Sequence, residues 1–271
     1  MKYGVVIPAR NESANIKYTI RSIMSQLIKP ELIVVVDDNS EDDTYYVAEK
    51  EGAYVMRIKR KSNAPITATP YFAYIINKGL EILRKQNLDF IMISGADTIY
   101  PRKYVYTIIK NMIKDKVVVA SGVALGERTG GILSVRGSGR IINATWFDKI
   151  GFKYPLNYGC ETWLLLKALS MGMNIAVYYD VVFYLKRKTT MNPRRAYLYG
   201  KAMKSLGYPR FYSIGKIFNM FLKGRRKESL YMFIGYKKKS NIYNNIEETT
   251  KYILTKELLS KSIIKKIFNR N

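Results

Sequence analysis

Histidine is missing altogether from the 271 residues. Its absence excludes serine–histidine and cysteine–histidine nucleophile systems and every histidine-ligated metal site, leaving acid–base chemistry to carboxylates, tyrosine or lysine. Cysteine occurs once, at Cys160. One thiol makes neither an internal disulfide nor a CxxC redox or zinc motif, and a reducing compartment is the direct reading. No apolar run approaches the roughly 18 residues that span a bilayer, and the opening MKYGVVIPARNE has no signal-peptide core. The expected location is cytoplasmic, peripheral on the inner face of the membrane, and not secreted. Glutamine is reduced to Gln26 and Gln86. With much Lys, Ile and Tyr, the composition leans toward a thermophile.

Acids are scarce as well, 21 against 46 lysines and arginines, for a net charge of +25. The imbalance is local. Residues 1–185 hold 24 basic and 17 acidic side chains, a net +7, whereas residues 186–271 hold 22 and 4, a net +18. A basic last third suits an anionic partner, whether a membrane with acidic headgroups, a diphosphate or a nucleic acid; it also fits a plain solvated surface. The 48% hydrophobic and 25% charged content is that of a globular chain, long enough for one domain plus an appendage or for two small domains.

Short apolar runs alternate with helical periodicity. YGVVIPA (residues 3–9) reads as a buried strand, and residues 13–27 repeat Ile16, Ile20, Ile23 and Leu27 at helical spacing. ELIVVVDDNS (residues 31–40) is a second strand closing on two acids, with Ser40 expected to cap a helix that runs to about Glu51. Further strands are expected at 53–60, 88–94, 117–125 and 174–185, helices at 70–86, 101–115, 143–152 and 161–173, and a glycine-rich loop at 126–140. This alternation predicts an α/β fold with a parallel sheet and helices on both faces. Such sheets bind ligands outside the carboxyl ends of their strands. The ends of strands one, two and four, at residues 8–12, 37–40 and 95–98, are therefore expected along one crevice, each with carboxylates.

Four stretches, in order, resemble one family. VVIPARNESANIKYTIRSIMSQ, LIVVVDDNSEDDT, SGADTIYP and WFDKIGFKYPLNYGCETWLLLKALSMGMNI are similar to four segments of family 2 glycosyltransferases. These are the opening strand, loop and helix, the second-strand VVDDGSTDGT signature, the metal-binding acidic motif and the acceptor-side segment. The likeness spans residues 3–205. It implies the GT-A fold over residues 1–190, a mostly parallel central sheet with helices on both faces, followed by a basic, mainly helical region at 191–271. It also implies transfer of a sugar from a nucleotide diphosphate donor to an acceptor, with inversion.

By the same resemblance Asp38 is the base-binding acid, with Asp37 beside it and Pro8, Ala9 and Glu12 bordering the nucleoside. Read locally, Asp37 and Asp38 also fit acids that end a strand and favour the next helix's N-terminus. The family's acidic motif holds Mg²⁺ or Mn²⁺ on two carboxylates one residue apart. Here Gly95 stands in the first place and Asp97 alone matches. Two readings stay open: a weakly held ion on Asp97, phosphate oxygens and water, or reduced metal dependence, with the cations Arg187, Lys188, Arg194 and Arg195 meeting the diphosphate. Glu161 is in register with the family's general base on an acceptor hydroxyl, although Cys160 and Glu161 stand where two acids are usual. A polyprenyl phosphate acceptor, already ionised, would need no base.

Residues 211–227, FYSIGKIFNMFLKGRRK, form the best amphipathic candidate for a helix lying on an anionic membrane. The implied acceptor is a sugar, a lipid-linked group or a protein glycan. Two other readings are carried. Basic segments interleaved with aromatics also suit a nucleic-acid-binding protein, but no helix-turn-helix, RRM or zinc signature accompanies them. Gly95 also suits a GT-A domain that binds a nucleotide sugar without transferring it.

Overall fold

A computed structural model describes residues 1–59, 68–127, 131, 133–187 and 190–260. In chain order the elements are β1 (Tyr3–Ala9), α1 (Ser13–Met24), β2 (Leu32–Asp37), α2 (Thr44–Lys50), β3 (Tyr54–Arg57), α3 (Pro70–Leu83), β4 (Phe90–Ile93), β5 (Thr98–Ile99), α4 (Tyr104–Lys114), β6 (Val117–Ala124), β7 (Arg140–Asn143), α5 (Ala144–Lys149), α6 (Cys160–Ser170), β8 (Asn174–Leu185), α7 (Pro193–Ser205), α8 (Arg210–Leu222), α9 (Arg226–Lys237) and α10 (Glu247–Ser260). They form two compact units, one from Met1–Ile66, Tyr71–Pro155 and Gly172–Lys188, the other from Thr67–Pro70, Leu156–Met171 and Thr189–Asn271.

The first unit is built on one sheet of order β3-β2-β1-β4-β7-β6-β8-β5. β1 pairs in parallel with β2 and β4, β2 with β3, and β6 with β8. β7 runs antiparallel between β4 and β6, and β5 antiparallel to β8. β1 and β2 are apolar at nearly every position because both of their faces are covered. On one face, Ile16, Ile20 and Ile23 of α1 and Val105, Ile108 and Met112 of α4 pack in one cluster with Val5, Ile7 and Val35. On the other, α3 approaches so closely that a Cβ at Gly79 would lie 2.6 Å from Val6 Cγ1. Glycine is what lets that helix seat on the sheet.

Four details depart from the sequence reading. Ser40 does not cap α2, which begins at Thr44 with Asp43 at the N-cap; the Ser40 amide and hydroxyl donate instead to Asp37. Residues 140–143, expected to be loop running into a helix, form β7, and the two-residue β5 was not anticipated. Leu156–Met171, read as part of the first domain, groups with the C-terminal helices: Asn157 Nδ2 donates to the Asn241 carbonyl at 2.8 Å, and the rings of Trp163 and Tyr243 lie 6.0 Å apart.

Within the second unit, α7 and α9 touch backbone to backbone. A Cβ added at Gly200 would lie 2.1 Å from the Met232 carbonyl oxygen, and one at Gly235 2.0 Å from that of Tyr197. Neither helix can yield locally, so Gly200→Ala or Gly235→Ala should cost about 1–3 kcal/mol by overpacking and lower the thermal midpoint by about 2–4 °C per kcal/mol. Gly215→Ala in α8, where an added Cβ meets nothing within 4 Å, should leave the midpoint unchanged or raise it, because alanine is the better helix former. Scanning calorimetry of the three variants checks the contrast.

Candidate active site

Parallel pairing brings the ends of β1, β2 and β4 to one edge of the sheet. Ala9 is in register with Asp37, and Val6 with Ile93. Two loops meet there and are stitched together. The Asn11 amide donates to Ser40 Oγ at 3.0 Å and its side-chain oxygen accepts from the Glu41 amide at 2.9 Å, while the Glu12 amide donates to Thr44 Oγ1 at 2.7 Å. Asn11 and Asn39 adopt positive φ, 52° and 55°, a conformation asparagine tolerates better than most residues. The Ser13 amide, in the first turn of α1, donates to Asp42 Oδ2 at 3.0 Å, so the acid-rich DNSEDDT segment supplies the acceptor for the opening helix.

The two acids closing β2 have different surroundings. Asp37 is fully buried, with one oxygen on Arg57 Nε at 2.7 Å and the other accepting from Ser40. Asp38, also buried, has its amide on the Ala9 carbonyl at 2.8 Å and accepts from the Tyr71 hydroxyl at 3.2 Å. Sequence reasoning missed both Arg57 and Tyr71. Arg57 had a signal, being the cross-strand partner of Asp37 in β3; Tyr71, 33 residues from Asp38, had none.

The Gly95–Thr98 turn is fixed from three sides. The Gly95 amide donates to Ser138 Oγ at 2.9 Å, Thr19 Oγ1 of α1 donates to the Ala96 carbonyl at 2.9 Å, and the Lys186 amide donates to the Asp97 carbonyl at 3.0 Å. Beneath the turn, Ser138 Oγ lies 2.7 Å from Thr98 Oγ1 and 3.0 Å from the Tyr100 hydroxyl. Burial pushes that phenol up to about 12, so it remains a proton donor. A Cβ at Gly95 would lie 3.1–3.3 Å from Thr98 Oγ1, Asp97 Oδ1 and Ser138 Oγ. The missing first acid is thus a closely filled place.

Asp97 is joined to Glu12 by a cation. Arg187 Nε donates to Asp97 Oδ2 at 3.0 Å, and Arg187 Nη2 pairs with Glu12 Oε1. Neighbouring Lys186 anchors the segment with its ammonium 3.9 Å from the centre of the Tyr18 ring. Burial works against the charge of Arg187, but the bonds to Asp97 and Glu12 prevail and hold it protonated more firmly than a free arginine. Half-buried Pro8 and buried Ala9 complete the β1 end.

Glu161, Arg194 and Arg195 belong to the second unit. Glu161 lies half-buried in the first turn of α6, behind Gly159, whose φ of 74° and close approach to Leu206 require glycine. Arg195 caps its own segment, its amide on Asn192 Oδ1 at 2.9 Å and its Nη1 on the Thr190 carbonyl at 2.8 Å; Arg194 is exposed. Lys188 lies outside the described residues.

The Glycosyl transferase family 2 sequence model matches residues 4–170. The chain belongs to this family. Among solved structures, it is similar to the Pyrobaculum calidifontis mannosyltransferase PcManGT in complex with GDP-Man and Mn²⁺, at 15% identity and a TM-score of 0.58 over 98% of this chain and 77% of that one. It is also similar to residues 1–349 of Staphylococcus aureus TarS in complex with UDP, at 17% identity and 0.55 over 87% and 71%. A third is the glucosyl-3-phosphoglycerate synthase of Mycobacterium tuberculosis with Mn²⁺ and UDP, at 18% and 0.52 over 75% and 77%. Against a longer TarS chain the coverage falls to 41% of that chain. No curated protein matches. The likenesses establish the GT-A fold for this family 2 glycosyltransferase.

Two of these structures contain Mn²⁺. Among the described residues no group of three or more carboxylate or cysteine side chains converges as a ready-made site. Asp97, the acid expected from the sequence to meet a metal, offers one carboxylate with Arg187 already on it. The described residues therefore offer no complete carboxylate shell, and an ion held at Asp97 would take most of its ligands from donor phosphates and water, as Mg²⁺ accepts.

Burial opposes ionisation of Asp42, but hydrogen bonds from Thr44 and Ser13 outweigh it and hold the carboxyl below the usual range. A depressed folded value contributes stability that is complete above the unfolded value of about 3.9 and lost as pH falls through the lower folded one. Asp42→Ala should lower stability at pH 7 by about 1 kcal/mol, as loss of a helix-start acceptor does, and flatten the decline below about pH 4. Urea unfolding between acid and neutral pH measures both.

Proposed function

We propose that the enzyme transfers a hexose from a nucleoside diphosphate donor to a hydroxyl or lipid-phosphate acceptor, with inversion at the anomeric carbon. The observation that supports it is the edge where Glu12, Asp38, Asp97 and Arg187 meet at three parallel strand ends. Asp38, steadied by Tyr71, accepts hydrogen bonds from the base or ribose, with Pro8, Ala9 and Glu12 alongside. Asp37 is engaged by Arg57 and Ser40 and supports the loop that carries Asp38. The Arg187 guanidinium meets the diphosphate, whose departure leaves negative charge that a fixed cation stabilises, and Lys188, Arg194 and Arg195 are the further cations proposed for it. Mg²⁺ or Mn²⁺ on Asp97, when bound, supplies additional charge neutralisation to the leaving group.

In the proposed reaction the acceptor oxygen attacks the anomeric carbon opposite the diphosphate. The new C–O bond forms as the carbon–phosphate-oxygen bond breaks, and Glu161 takes the proton from a hydroxyl acceptor. The similar structures contain UDP-GlcNAc and GDP-Man, donors of the class proposed here, and UDP, the nucleoside diphosphate such a donor leaves. The acceptor is proposed to be presented at an anionic membrane surface on the cytoplasmic side.

Calorimetric titration of UDP and GDP, with and without Mn²⁺, tests the donor site. One nucleotide should bind more tightly with Mn²⁺, Asp97→Ala should remove that gain, and Arg187→Ala should weaken binding about tenfold in either condition, as loss of a charge-assisted contact does. No binding of either nucleotide would sink the donor reading and favour an oligonucleotide ligand. Glu161→Gln should leave nucleotide affinity unchanged and lower kcat by about 10²- to 10⁴-fold with a hydroxyl acceptor; an unchanged kcat would remove Glu161 as the base.

A further inference from the structure

Helices α8 and α9 are folded with their apolar sides outward. α8 buries Ser213 and Ile217, while Phe211, Ile214, Phe218, Phe221 and Leu222 stay exposed, Phe218 at 58% and Leu222 at 66%. Their spacing of three, four, three and one puts them on one helical face. α9 repeats the inversion by burying Ser229, Met232 and Gly235 and exposing Leu230 and Phe233. Small residues are inside because α7 and α9 cross at Gly200 and Gly235, which turns the large side chains away from that contact. The two helices are held together by Ser229 Oγ donating to the Ile217 carbonyl at 2.9 Å. Exposed apolar area of this extent is unusual on a monomer and marks a docking surface.

The charge around it selects the occupant. Residues 210–239 carry nine lysines and arginines and one acid, Glu228. The charges lie beside the apolar row, since the Arg226 guanidinium is 5.7 Å from the centre of the Phe221 ring and Lys223, Arg225 and Lys227 are exposed around the same turn. A second copy would bring the same positive excess against itself. Nucleic acid would meet the basic rim but has nothing to offer Ile214, Leu222 and Leu230, which cannot stack on bases as aromatics do. An anionic lipid surface satisfies both features, taking aliphatic and phenyl side chains into the acyl boundary and lysine and arginine at its headgroups. No helix among the described residues is long and apolar enough to cross a membrane, so the helix would lie in the surface.

We propose that the outward face of α8, with the basic α8–α9 turn, is an interfacial anchor for anionic lipid. This names the surface for the membrane-presented acceptor proposed above and rests on that reading for its purpose, but its test uses no sugar transfer, so the two fail separately. The full chain is sedimented with sucrose-loaded vesicles of phosphatidylcholine alone or with about one quarter phosphatidylserine, at about 0.15 M salt, a Debye length of about 8 Å. Wild type should partition at least tenfold more strongly to the anionic vesicles. Phe218→Ser/Phe221→Ser, which changes only exposed positions, should lose that partition at least tenfold while keeping its helical circular dichroism and nucleotide affinity; Arg225→Gln/Arg226→Gln should lose the preference for anionic over neutral vesicles. Absent vesicle binding by wild type, undiminished binding by the Phe218/Phe221 variant, or a wild-type dimer that this variant dissociates would each overturn the proposal. So would binding to random oligonucleotides that vesicles do not compete.

Discussion

Everything at the sheet edge depends on the parallel pairing of β1 with β2 on one side and β4 on the other. Parallel strands end together, and here they end with Ala9 in register with Asp37 and Val6 with Ile93. Three separate loops are thereby delivered to one place. What those loops add is rigidity: amides of Asn11, Glu12 and Ser13 are each bound by side chains of the 40–44 segment. The Gly95–Thr98 turn is likewise held by α1 and by the residue after β8. A site on loops so bound keeps its geometry as a site on helices or strands would.

Charge is distributed along this edge by pairing. Arg57 and Ser40 take Asp37 inward, Arg187 spans Glu12 and Asp97, and Asp38 is steadied by the neutral Tyr71 hydroxyl. An adjacent pair of acids so treated need not share one role. The first is fully buried on Arg57, where breaking the ion pair would leave a costly uncompensated charge. The second is the one bonded to a tyrosine from a distant helix.

The sequence showed much of this and missed definite parts. Fully apolar runs announced β1, β2 and β4, and the 3.6-residue spacing of Ile16, Ile20 and Ile23 announced α1, because continuous burial leaves a continuous pattern. β7 was hidden because RIIN is only four residues long, follows glycine-rich chain and runs against its neighbours. β5 has two residues and no pattern at all. Ser40 was a reasonable cap by residue type, but the carboxylate three residues before it took its hydroxyl. The amphipathic stretch at 211–227 was visible, although it spans α8, a turn at Gly224 and the start of α9. The Glu12–Arg187 pair, 175 residues apart, leaves no local trace either.

That pair has a kinetic side. Glu12 and Asp97 are tethered anions that never leave the neighbourhood of Arg187, so they compete for its guanidinium at high effective concentration. On the role proposed for Arg187, an incoming diphosphate displaces at least part of this contact, and the strength of its own ion pair is discounted accordingly. The same discount acts in reverse after reaction. On that same proposed role, a spent nucleoside diphosphate would face two carboxylates ready to recapture the arginine, so the ion pairs that temper substrate capture would also hasten turnover.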